Sequence, residues 1–127
     1  MLLIGGDDGR TIIWAVHTVD LATGVCTPLP PLLSSRRLVC TAARLPDGRV
    51  VCVGKNDGDV EGITAEILEE LPNQGSLTSP ASWRWRELPG MSVARFGCGG
   101  CVLSDGSFAV FGGMTDFDAS TSTTACE

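Results

Sequence analysis

Cys98-Gly99-Gly100-Cys101 has the spacing of a redox pair or of half a zinc site. On an extended strand, however, residues three apart point to opposite faces, with Cα atoms roughly 10 Å apart and outside the ~7 Å limit of a disulfide. No second Cys pair with matching spacing completes a tetrahedral site. Both thiols are therefore expected to be buried and inert, as is the matching small-residue segment Cys40-Thr41-Ala42-Ala43. His17 is the single histidine, so any Ser-His-Asp or Cys-His mechanism would have to use it. Within Trp14-Ala15-Val16-His17-Thr18-Val19 it reads as a solvent-facing strand residue. Asn56, Asp57, Asp59 and Glu61 offer oxygens to a calcium ion but lack the EF-hand spacing and its terminal bidentate Glu. Glu66, Glu69 and Glu70 have no partner fixed opposite them and read as a solvated strand end. These residues call for no catalytic assignment, no metal and no cofactor.

The elements that carry these residues are short. In 127 residues there are 16 glycines and seven prolines, and the apolar segments between them are rich in Val, Ile, Leu, Phe and Trp. That composition predicts an all-β chain. Arg49-Val50-Val51-Cys52-Val53 and Ser107-Phe108-Ala109-Val110-Phe111 are each preceded by Asp-Gly and followed by Gly, as expected of strands buried on both faces. Asp47-Gly48 and Asp105-Gly106 predict two hairpins, with a type I′ turn as the expected geometry. Trp83-Arg84-Trp85-Arg86 alternates, placing two indoles on one face and two guanidiniums on the other. Ile63, Ile67, Leu68 and Leu71 also fit a helical spacing, but the repeat described next makes the segment a strand. The eleven residues from Pro72 to Ser82 form a long connection.

Charge and composition exclude several classes. With 43% hydrophobic residues the chain can bury a core, and a formal net charge of −6 disfavours nucleic acid as a partner. No apolar run approaches the ~20 residues of a membrane-spanning helix. Met1-Leu2-Leu3-Ile4-Gly5-Gly6 has no basic n-region, and its apolar stretch stops after four residues. With six cysteines falling short of a disulfide scaffold, reduced thiols in a cytoplasmic compartment are expected.

Compared with itself, the chain repeats. Leu45-Pro46-Asp47-Gly48-Arg49 recurs as Leu103-Ser104-Asp105-Gly106-Ser107, 58 residues later. At the same offset Arg37 meets Arg95, Cys40 meets Cys98, and Cys52 meets Val110. Leu29-Pro30-Pro31-Leu32 meets Leu88-Pro89-Gly90-Met91, and Cys26 stands where Trp85 does, both at an offset of 59. Met1-Leu2-Leu3-Ile4-Gly5-Gly6 lines up with Val53-Gly54-Lys55 and with Phe111-Gly112-Gly113. Such a period, with four short strands per unit, is that of a propeller blade.

These units resemble the kelch repeat: a small-residue strand, an Asp-Gly turn, an apolar strand ending in Gly-Gly, a third strand with Glu-x-Tyr-Asp, then Trp and Leu-Pro before an Arg. The middle unit carries Asp47-Gly48, Gly54, Ala65-Glu66-Ile67-Leu68, Trp83/Trp85 and Leu88-Pro89. It departs from the pattern at Lys55, in place of the second glycine, and at Ile67 or Leu68, in place of the Tyr; Val19 fills the Tyr position in the first unit. The resemblance implies four-stranded antiparallel blades divided as residues 1–36, 37–94 and 95–127, with Gly5, Gly6, Asp47, Gly48, Gly54, Trp85, Asp105, Gly106, Gly112 and Gly113 as structural positions. About two and a half units cannot close a ring of at least ~4 blades. The remaining blades are expected elsewhere in a longer chain or through self-association.

The resemblance further implies a non-catalytic interaction module whose loops dock a protein or peptide. One end would gather Arg36, Arg37 and Arg95 with Lys55, Asn56, Asp57, Asp59, Asp116 and Asp118, and the arginines suit an acidic segment. Arg37 and Arg95 equally suit a structural role. The alternative is part of a sugar-active enzyme resembling galactose oxidase or the sialic-acid isomerases, with its active-site residues outside this chain. The copper-radical chemistry of the former needs tyrosine, and this sequence has none.

Overall fold

Pro46 and the two Asp-Gly pairs decide where the chain reverses, and the strands follow from them. In a computed structural model, residues 1–33, 37–56, 63–71, 82–93, 95 and 97–114 are described. Among them are nine strands and no helix. β1 (Leu2–Asp7), β2 (Ile12–Val19) and β3 (Cys26–Leu29) form an antiparallel sheet in that order. β4 (Arg37–Arg44), β5 (Val50–Asn56), β6 (Ile63–Leu71) and β7 (Ser82–Leu88) form a second. β8 (Gly99–Val102) and β9 (Phe108–Phe111) form a third. The hairpins at Asp47 and Asp105 thus belong to separate sheets. The connection 72–81 lies outside the described residues.

The two hairpin turns share one set of hydrogen bonds. Gly48 N–H donates to Leu45 O and Gly106 N–H to Leu103 O, each at 3.0 Å, while Leu45 N–H reaches Arg49 O and Leu103 N–H reaches Ser107 O, each at 2.8 Å. Asp47 Oδ1 accepts from Arg49 N–H at 3.0 Å, and Asp105 Oδ1 from Ser107 N–H at 2.9 Å. The expected type I′ geometry is not adopted. Among the described residues no non-glycine has a positive φ, whereas Gly48 and Gly106 sit at +93° and +86°. A four-residue turn closed by a left-handed glycine results, and Pro46 explains it in the first copy, since its ring holds φ near −65°.

Period-two alternation gives the middle sheet two apolar faces. Cross-strand pairs Cys52↔Glu66 and Leu68↔Trp85 put those four side chains on one face, while Val51↔Ile67 and Val53↔Ala65 fill the other. The first face packs Cys52, Leu68 and Trp85 against Val16 of β2 and Leu32 beyond β3. The second packs Val51, Val53 and Ala65 against Cys98 and Val110 of the third unit. Burying each Leu, Val or Ile side chain contributes about 1.5–3 kcal/mol, so the second sheet is held from both sides. Trp83 and Trp85 point to the first face while Arg84 and Arg86 stay exposed on the other.

Inner strands crowd where β4 lies against β8. A Cβ on Gly100 would fall 2.5 Å from Phe108 Cζ and 2.9 Å from Thr41 Oγ1, so any other residue there must push those side chains aside. The glycine pairs within β1 and just after β9 also matter. Gly5, Gly6, Gly112 and Gly113 all have positive φ, but Gly54 does not, and β5 runs on through Lys55 to Asn56. Lys55 carries a Cβ that disfavours the bend its glycine counterparts make.

Candidate functional site

β4 and β5 form one hairpin with chemically different ends. At its open end Arg37 pairs with Asn56, and a register shift separates Arg37 from Cys40. Lys55 pairs with Ile63 of β6. The backbone therefore brings Arg37, Lys55 and Asn56 together at one end of the second sheet. Arg36, Asp57, Asp59, Asp116 and Asp118 lie outside the described residues.

Arg95 is placed as a structural residue. Its side chain has no solvent exposure, and its Nη1 donates to Gly112 O at 3.2 Å. A guanidinium buried in this way ties the segment before β8 to the glycine pair after β9 instead of facing outward.

Glu66 is also fully buried, not on the solvated strand end expected for it. Its parity with Leu68 turns it toward the first sheet, where Oε2 accepts from Leu33 N–H at 2.9 Å. Trp85 reaches the same connection, its Nε1–H donating to Pro30 O at 2.8 Å. Two polar side chains of the second sheet thus satisfy backbone groups of the segment that leaves the first. The sequence signal was available in the alternation of β6, because a residue between Leu68 and Thr64 on the face of Cys52 must point inward.

At the opposite end, beside the Asp47 turn, charges pair on the surface. Arg49 Nη2 lies 2.6 Å from Asp47 Oδ2, and Arg84 Nη2 lies 2.8 Å from Glu69 Oε1, which Arg86 Nε approaches to 3.5 Å. The hydrogen bond from Arg49 is the main reason that the Asp47 carboxyl is held below its usual range. Arg84 does the same for Glu69. The Ser107 hydroxyl donates to Asp105 at 2.6 Å and lowers it likewise.

The cysteines and histidine take the following places. Cys98 and Cys52 are buried, whereas Cys101 and Cys26 are exposed. Exposure of Cys101 corrects the expectation of two buried thiols, and its cause is strand alternation, which turns Cys98 and Cys101 to opposite faces. His17 is half-buried and pairs with Leu3 and Pro28. Among the described residues no three His, Cys, Asp or Glu side chains gather as metal ligands, and no helix is long and apolar enough to cross a membrane.

Compared with known proteins, the chain matches no family model and no curated protein.

Proposed function

We propose that this chain is a set of kelch-type propeller blades acting as a non-catalytic interaction module, with one loop end docking a protein or peptide. The observation that carries the reading is the middle sheet, which buries Cys52, Leu68 and Trp85 on one face and Val51, Val53 and Ala65 on the other. A sheet flanked on both faces by other sheets, one of which repeats its Asp-Gly hairpin, fits the building rule of radial repeats. The docking end is that of Arg37, Lys55 and Asn56, extended by Arg36, Asp57 and Asp59 next to them in sequence. Cationic side chains there suit carboxylates of an acidic segment. Function follows from these residues and not from the fold.

The test compares wild-type chain with the variant Arg36→Ala, Arg37→Ala, Lys55→Ala in affinity capture, followed by measured affinity for each protein retained. Loss of at least about tenfold in affinity is expected, the value of one or two charge-assisted hydrogen bonds. Undiminished binding of every partner would reject this end as the docking surface.

A further inference from the structure

The connection that leaves β3 is anchored at successive points on its way to β4. Pro30 O accepts the Trp85 indole N–H, Leu32 is buried in the core with Val16 and Leu68, and Leu33 N–H donates to Glu66 Oε2 at 2.9 Å. The last anchor lies nearest the docking end, since Leu33 comes shortly before Arg37, which opens β4 and pairs with Asn56. The Leu33 side chain is 58% exposed, so the backbone hydrogen bond, not side-chain burial, holds the chain at this point. β6 thus carries both the acceptor for Leu33 and, at Ile63, the strand partner of Lys55. Packing alone does not ask for a carboxylate here. The face of Glu66 is otherwise Cys52, Leu68 and Trp85, and its cross-strand partner Cys52 is equally buried, so a leucine would suit the position. A buried carboxylate carries a desolvation cost and is tolerated where its oxygens are satisfied. What it supplies, and leucine would not, is an acceptor for the connection.

We infer that Glu66 is the positioning residue of the docking end: the hydrogen bond it accepts from Leu33 fixes the course of the chain into β4, and so where Arg37 stands against Asn56. A side chain with no exposure of its own thereby governs a surface it does not reach. The functional half of this role rests on the docking reading proposed above, whereas the geometric half does not.

The test is NMR of the isotope-labelled full chain, read at the amides of Leu33, Arg37 and Asn56. In the unaltered chain the Leu33 amide should exchange slowly with solvent despite its exposed side chain. Glu66→Leu keeps the apolar face but offers no acceptor, so that exchange should accelerate at least about tenfold, as loss of one hydrogen bond requires, and the Arg37 and Asn56 resonances should move. Glu66→Gln, whose amide oxygen still accepts, is expected to restore all three. Ile67→Val, which removes a methyl group from the opposite face, should leave them in place. Fast exchange at Leu33 in the unaltered chain would overturn the inference. So would unmoved Arg37 and Asn56 resonances in Glu66→Leu, equal disturbance by Glu66→Gln, or the same shifts in Ile67→Val. Anisotropy of fluorescein-labelled octaglutamate separates this role from the docking reading. Binding that Glu66→Leu weakens and Glu66→Gln keeps supports both, whereas no binding by the unaltered chain rejects an acidic partner at this end and leaves the placement of Arg37 to be decided by the NMR signals.

Discussion

Trp85 of β7 donates its indole N–H to the carbonyl of Pro30 across 2.8 Å, joining two sheets between whose strands no pairing occurs among the described residues. Its ring meanwhile packs with Leu68 and Cys52 against Val16. Trp85→Phe keeps most of the packing but strands the Pro30 carbonyl, and is expected to cost about 1–3 kcal/mol. Trp85→Ala also opens a cavity and should cost about 3–5 kcal/mol. Urea unfolding of the two variants checks the order, and an equal loss for both would remove the hydrogen bond from the account.

Leu68 is 1% exposed in the same interface. Leu68→Ala is expected to destabilise the chain by about 2–5 kcal/mol, whereas Leu21→Ala, at a side chain 75% exposed, should change little. Denaturant midpoints measure both.

Gly100→Ala forces a methyl group against Phe108 and Thr41 and is expected to cost about 1–3 kcal/mol by overpacking. Gly48→Ala and Gly106→Ala meet only ordinary van der Waals contact, at 3.7 Å in each, so their penalty is that of the left-handed backbone, about 1–2 kcal/mol, and should be equal in the two turns. Thermal melts of the three variants would show this pattern. Unequal values for Gly48 and Gly106 would contradict the equivalence of the hairpins.

Acid is expected to weaken the fold. Asp47, Asp105 and Glu69 are held below their ordinary values of 3.8, 3.8 and 4.5 by hydrogen bonds from Arg49, Ser107 and Arg84 respectively. Because their folded-state pKa values are depressed, their contribution is complete above the unfolded values and disappears as pH falls through the folded ones. Melting temperature should hold steady from pH 7 to about 5 and decline below about 4.5. Asp47→Asn with Glu69→Gln should make that decline shallower, as differential scanning calorimetry across pH can record.

Much of this architecture was legible because it is local. Asp47-Gly48 and Asp105-Gly106 announce their hairpins through turn chemistry, and Trp83 to Arg86 reveal their two faces through a period of two. Glu66 was not read as buried, because the group that satisfies it, Leu33 N–H, lies 33 residues away in sequence. Arg95 was equally open to a surface or a buried role, and only the position of Gly112 decides between them. The type I′ expectation fails because Asp-Gly alone suits several turns, while type I′ needs a positive φ at the Asp and only the glycine of each pair takes one. The kelch resemblance groups Arg37 with Lys55 and Asn56, and β4–β5 pairing brings their backbones together.

The second sheet is sandwiched between two others. Methyl-labelled NMR of the intact chain tests it most directly through nuclear Overhauser contacts. Contacts are expected from Val16 to Leu68 or Trp85 and, on the opposite face, from Val110 to Val51 or Val53. Cross-strand backbone contacts joining β5 to β9 in one continuous sheet, with no methyl contact from Val110 to Val51 or Val53, would contradict it.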